Sequence, residues 1–225
     1  MLRYAALVFG LSALLLAPAS EARTWVEGTD YVPVRPAQQT SVPPGKVEVM
    51  EVFSYACPAC NNFQPVMAQL QRALPASAQL VFLPAAFNTA EDWPMFQRAY
   101  FTAQLLGIAE RTHQSIFDAV WKTGELAWMD ATTQRPKSPL PTIEDAARVY
   151  AHLAGVKPET FLSTAKSFSV DMKMRAADSQ ITAMQVPGTP CLVVNGKYRI
   201  IMDAPKSKDE MIELVKYLVT KETPH

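Results

Sequence analysis

The stretch Lys46-Val-Glu-Val-Met-Glu-Val-Phe-Ser-Tyr-Ala-Cys57-Pro-Ala-Cys60 decides how the rest of the chain is read. Lys46–Tyr55 is rich in β-branched and aromatic residues and contains neither Gly nor Pro, so it predicts a buried strand. From Pro58 onward the apolar positions become Phe63, Val66, Met67, Leu70 and Leu74, which is helical spacing. A strand therefore runs straight into a helix whose first turn carries two cysteines. Cys57 falls at the N-cap and Pro58 at the first helical position, where a missing N–H costs nothing. The unpaired N–H groups and positive dipole end of a helix N-terminus stabilise a thiolate. A thiol placed there has a lowered pKa and is both a good nucleophile and a good leaving group. Cys60, a turn further in, is expected to be shielded and to act second. Pro65 removes an interior hydrogen bond and is expected to kink the helix.

Downstream, Leu80–Leu83 reads as a second strand, so residues 47–83 form a βαβ unit with parallel, right-handed connectivity. Residues 88–185 look entirely helical, apart from the proline-rich loop Gln134–Pro141. Trp93, Phe96, Tyr100 and Ala103 form one apolar stripe, and Ile116, Phe117, Val120 and Trp121 form another. Thr142 and Asp145 have capping-box spacing, and that helix should end near Gly155. Val170, Met174, Ala177, Ile181 and Met184 mark a last long helix. These stripes are read as core. The chain then returns to β: Cys191–Asn195, an Asn195-Gly196 turn and Lys197–Ile201. Ser207 with Glu210 caps a closing helix with stripe Met211, Val215 and Leu218. A helical block interrupting a β-rich frame suggests one domain inserted into another.

The 225 residues include 21 Lys+Arg against 21 Asp+Glu, and 49% are hydrophobic. That composition excludes intrinsic disorder, and zero net charge removes the broad electrostatic argument for binding nucleic acid or a membrane surface. Arg3, the uncharged run Tyr4–Ala17 and the small residues up to Ala22 have the build of a cleaved secretory signal peptide covering residues 1–22. The run is short for a spanning helix. The mature protein is therefore expected to be soluble and exported.

Export changes how the three cysteines read. A Cys57–Cys60 bridge closes too small a loop to be a useful structural staple. A CxxC pair is redox-active or metal-binding. The other soft ligands are Cys191, His113, His152 and His225, and none has ligand spacing relative to another, which favours redox chemistry and no metal.

The segments Phe53-Ser-Tyr-Ala-Cys-Pro-Ala-Cys-Asn-Asn-Phe63, Val186-Pro-Gly-Thr-Pro190 and Val194-Asn-Gly-Lys-Tyr198 together resemble the DsbA family of thiol:disulfide oxidoreductases. The likeness runs from Asp30-Tyr31 to the final helix. It implies an α/β, thioredoxin-like fold with an inserted all-helical domain: residues 23–87 and 186–225 as the discontinuous thioredoxin-like domain, residues 88–185 as the insertion. It implies that Pro190 follows a cis bond and lies against the redox pair, with the Thr189 backbone turned towards Cys57 and able to pair with an extended substrate. Pro58, Ala59 and Thr189 are then substrate-binding, and Cys57, Cys60, Pro190 and Glu51 catalytic. Glu51 stands where the family carries a buried acid beneath the redox pair, able to exchange protons with Cys60. Glu48, by contrast, is expected to be an exposed strand glutamate.

Two departures from the family stand out. Ala59 occupies a position where the family's best-known member has His, so Cys57 is expected to be less acidic and the disulfide less oxidising. Cys191 directly follows Pro190, and reads as a small buried hydrophobe or as a regulatory thiol.

The implied activity is donation of the Cys57–Cys60 disulfide to reduced exported proteins through a mixed disulfide, with reoxidation by a DsbB-type, quinone-linked membrane oxidase. No bound cofactor is needed for thiol exchange, no nucleic acid is expected to bind, and a monomer is expected. The rivals are a reductase or isomerase on the same fold, a binding module or chaperone with a vestigial site, and a CxxC metallochaperone. Isomerases of this kind carry a separate dimerisation domain, for which residues 23–46 are too few.

Overall fold

The structure, a computed structural model, describes residues 23–223; the expected signal peptide lies outside the described residues. Twelve elements follow in order: β1 (Tyr31–Pro33), β2 (Val47–Phe53), α1 (Pro58–Ala73), β3 (Ala78–Pro84), α2 (Trp93–Leu105), α3 (Ala109–Trp121), α4 (Ile143–Ala154), α5 (Pro158–Ala165), α6 (Phe168–Ala183), β4 (Cys191–Val194), β5 (Tyr198–Ile200) and α7 (Lys208–Glu222). The strands form one sheet in the order β1-β5-β4-β2-β3. β2 and β3 are parallel, with Glu51 beside Phe82, and β4 runs antiparallel to β2. All five helices between β3 and β4 belong to one intervening block, so the fold is α/β and thioredoxin-like with a helical insertion.

Alternation along β2 sends its side chains to two cores. Val47 and Val49 pack with Val66, Met67 and Leu70 of α1 and with Leu214, Val215 and Leu218 of α7. Met50 and Val52 pack with the helical block, including Phe96, Phe117 and Ile181. Every residue of β2 is buried, and this corrects the expectation for Glu48. With both faces of the sheet covered, neither side of the strand meets solvent, and the Glu48 carboxylate instead accepts the N–H and the hydroxyl of Ser41, each at 2.7 Å.

Local signals set most boundaries. Thr142 and Asp145 form a reciprocal capping box on α4, which stops at Gly155 with φ 70°. Ser207 caps α7 through the Glu210 N–H at 3.1 Å, but the Glu210 carboxylate reaches the Lys206 N–H and Arg23 instead of closing the box. Asn195 and Gly196 both have positive φ in the β4–β5 turn. A side chain at Gly196 would collide with the Gln38 carbonyl, because the residue 34–38 arm lies against this hairpin through Val34 N–H to Lys197 O and Gln38 N–H to Gly196 O. Helix α1 continues through Pro65. The proline-rich loop breaks the helical block as expected, but the break is longer: from Trp121 to Ile143 the chain makes turns and a bridge between Met129 and Pro136, so residues 122–133 are not helical either. Gly124 (φ 78°) and three prolines, at 136, 139 and 141, interrupt helix there.

Candidate active site

β2 ends at Phe53, and five residues later, at Pro58, the chain begins α1. Cys57 is the N-cap, Pro58 the first helical residue, and the Cys57 sulfur accepts the Cys60 N–H at 3.4 Å. The turn between is closed by Cys57 N–H to Ser54 O at 3.1 Å and by Ala56 N–H to Ser54 Oγ at 3.2 Å. Pro58 and Ala59 are exposed, whereas Cys60 is fully buried. All three cysteines are thiols.

The second segment arrives from the far end of the chain. The Thr189–Pro190 bond is cis, and the Cys57 sulfur contacts the Thr189 carbonyl oxygen at 3.5 Å. Among the described residues the Thr189 hydroxyl has no partner at hydrogen-bond distance. Pro190 leads directly into β4, whose first residue, Cys191, lies in register with Val52 of β2. Cys191 is buried, and burial pushes its thiol up to about 11.

Electrostatics separate the two active-site sulfurs. Cys57 is lowered to about 6: the Cys60 thiol hydrogen-bonds it, and the Thr189 side chain and the N–H groups of Cys60 and Ala59 add to this against the cost of burial. Cys60 moves the other way, far above the ordinary thiol range, through burial first and then its bond to Cys57 and the charge of Glu51. One sulfur is thus built to carry charge and the other to carry a proton.

Glu51 shares the α1 side of β2 with Val47 and Val49. It is fully buried, and among the described residues neither carboxylate oxygen has a hydrogen-bond partner. Burial, followed by the charge of Cys57, raises its pKa to about 8, partly offset by the neighbouring Gln64 side chain. Gln64 itself donates to the Cys60 carbonyl at 3.3 Å. The structure therefore brings together Cys57, Cys60, Thr189 and Glu51, with Pro58 and Ala59 on the exposed lip.

Helical spacing places Trp121 in a core stripe and marks no role for Trp128. The Trp121 indole N–H donates to Tyr55 O at 2.8 Å, and the Trp128 indole N–H to Ala56 O at 3.1 Å. His113 is also buried, which lowers its pKa to about 3 and keeps it neutral; it bonds the Tyr55 hydroxyl at 3.0 Å and stacks on Phe82. Among the described residues no cluster of three or more His, Cys, Asp or Glu is arranged to hold a metal ion, and no helix is long and apolar enough to cross a membrane.

A family model described as Thioredoxin matches residues 43–217. The thiol:disulfide interchange protein DsbA of Pseudomonas aeruginosa is 33% identical over 210 residues, which is 93% of this chain and 92% of that protein. The protein of the same name from Azotobacter vinelandii is 32% identical, over 95% of this chain and 90% of that one. Among solved structures, Pseudomonas aeruginosa DsbA superposes with a TM-score of 0.72 at 34% identity, covering 88% of this chain and 94% of that one. The oxidoreductase DsbA from Xylella fastidiosa gives a TM-score of 0.75 at 28% identity, covering 88% and 97%.

Proposed function

The chain belongs to the DsbA family of thiol:disulfide interchange proteins, and from that premise we propose that it donates the Cys57–Cys60 disulfide to reduced exported proteins through a mixed disulfide at Cys57. The observation that carries this direction is the contrast at α1: an N-cap thiol held down at about 6 beside a buried partner held far up.

A substrate thiolate attacks the Cys57 sulfur of the oxidised pair. The Cys57–Cys60 bond breaks, the substrate–Cys57 bond forms, and Cys60 departs with the electron pair and takes up a proton. Glu51, the buried acid with a pKa near neutral, is the group suited to supply it. The second substrate thiolate then attacks its own sulfur in the mixed disulfide. Cys57 leaves as a thiolate, stabilised by the N–H groups of α1. Two electrons have moved from substrate to enzyme, and the substrate carries a new disulfide. Thr189 offers backbone for strand-like pairing with the substrate, Pro190 covers the pair without contributing a donor, and exposed Pro58 and Ala59 form the rest of the contact face.

Residues 23–87 and 186–225 act as the redox domain in this reading, and 88–185 as its helical cover. Residues 1–22 direct export to the periplasm, where a DsbB-type quinone-linked membrane oxidase restores the disulfide to the monomeric protein. The test is incubation of the oxidised protein with a reduced secretory protein. One substrate disulfide should appear for each Cys57–Cys60 pair reduced, and Cys60→Ser, which has no disulfide to give, should leave the substrate reduced. A substrate that stays reduced, or an oxidised one that loses its bridge instead, would point to the reductase or isomerase role.

A further inference from the structure

The turn that delivers Cys57 to the helix is held from outside the redox frame. Tyr55 and Ala56 are the two residues immediately before Cys57, and each directs its carbonyl to an indole N–H, at 2.8 Å from Trp121 and 3.1 Å from Trp128. Trp121 is the last residue of α3, and Trp128 stands in the irregular segment that follows. Both belong to the helical block, 66 and 72 positions from the carbonyls they bind. The Tyr55 side chain is tied to the same block through His113.

We propose that Trp121 and Trp128 are positioning residues for the redox pair, clamping the Tyr55 and Ala56 carbonyls so that the turn holds these two acceptors off the Cys57 sulfur and keeps the sulfur aligned with the Cys60 N–H. The proposal rests on Cys57 being the reactive thiol. Its physical basis is that carbonyl oxygens repel a thiolate whereas N–H groups attract it. The turn must keep its Cys57 N–H to Ser54 O bond for Cys57 to sit at the N-cap. A buried carbonyl deprived of its donor seeks water or another partner, because leaving it unmade is costly. Without the two indoles, residues 54–57 would rotate to hydrate Tyr55 O and Ala56 O, and the sulfur would lose its alignment with the Cys60 N–H. On this view the helical block sets the chemistry of the pair as well as covering it.

The test uses the full-length reduced protein and the ultraviolet absorbance of the thiolate as a function of pH. Cys60 and Cys191 titrate well above Cys57, so the transition near neutral pH reports Cys57 alone. Trp121→Phe and Trp128→Phe keep an aromatic ring and delete only the donor region of the indole. Each should raise the Cys57 pKa, and the pair together should raise it by about one unit, a tenfold loss of thiolate at a given low pH. A control, Phe161→Leu, loosens the stacked Tyr150–Phe161 pair (4.8 Å) in the same block and leaves both indole N–H groups in place. It should lower stability and leave the Cys57 titration unmoved. Folded tryptophan variants that titrate with the wild type overturn the proposal, as does a Phe161→Leu shift equal to theirs. Should the double variant not fold, the single variants carry the same test. A wild-type Cys57 titrating in the ordinary thiol range would instead overturn the functional reading itself, which keeps the two failures apart.

Discussion

The sulfur of Cys57 lies 3.5 Å from the carbonyl oxygen of Thr189, although 132 positions separate the two residues in the chain. This contact joins the N-terminus of α1 to the start of β4 and makes one site of two distant segments. The Thr189 hydroxyl, unpartnered beside the Cys57 thiol, is free to turn and donate once the sulfur is charged. Thr189→Val keeps the shape and removes that donor. It should raise the Cys57 pKa by about one unit, the scale of a charge-assisted hydrogen bond. A titration that matches the wild type would remove the hydroxyl from the account.

Glu51 makes stability fall as pH rises. Its folded pKa is raised to about 8 from 4.5, so between those values the unfolded chain ionises while the folded one holds its proton. Folding therefore binds a proton in that window, and stability declines across it. Glu51→Gln should gain about 1–3 kcal/mol at pH 8 over the wild type, after the cost of burying an amide, and no such gain at pH 4.5. Urea unfolding at the two pH values measures the difference; a gain equal at both would mean Glu51 is not held neutral. The same variant should slow release of Cys60 in exchange, since it cannot deliver a proton.

Cys57 has the opposite linkage in the reduced protein. Its folded pKa is depressed from 9.0 to about 6, so its contribution is fully present above pH 9 and is lost as pH falls towards 6. Reduced wild type should gain stability over reduced Cys57→Ala as pH rises through that range. A gap between the two that does not change with pH would contradict the lowered pKa.

Much of this was legible in the sequence because it is local. The strand-to-helix switch at Phe53–Pro58, the capping box at Thr142 and the paired positive-φ turn at Asn195-Gly196 each follow from residues a few positions apart. Glu48 and Glu51 show what local pattern cannot supply. They lie three apart on one strand and look alike in sequence, yet both are buried, because helices cover both faces of the sheet. Ser41 satisfies one oxygen of the first, and neither oxygen of the second has a partner among the described residues. The indole clamps of Trp121 and Trp128 were equally hidden, since an aromatic at helical spacing reads as core whichever carbonyl its N–H finds. Residues 122–133 depart from the expected helix for a related reason: a few apolar residues such as Leu126 and Trp128 are buried there without belonging to a helix.

Cys191 should prove silent in redox chemistry. Burial keeps it protonated at neutral pH, and it packs in β4 against the core. Cys191→Ala should cost about 1 kcal/mol for the small cavity and leave the Cys57–Cys60 equilibrium unmoved. A shifted equilibrium would make Cys191 part of the site.

Ala59 is exposed on the first turn of α1, beside the sulfur whose charge that turn stabilises. Ala59→His places a donor and partial positive charge there and should lower the Cys57 pKa further. Favouring the reduced form by about tenfold corresponds to about 30 mV in a two-electron couple. An unchanged glutathione equilibrium in this variant would show that position 59 does not tune the pair.

The central claim, that this site is built to give its disulfide away, is tested most directly by equilibrating the Cys57–Cys60 pair with glutathione redox buffers and trapping the thiols. The account predicts a pair reduced under mildly reducing buffer, because the Cys57 thiolate is stabilised in the product. A pair that stays oxidised until the buffer is strongly reducing would contradict it, and would assign the site to reduction of disulfides instead.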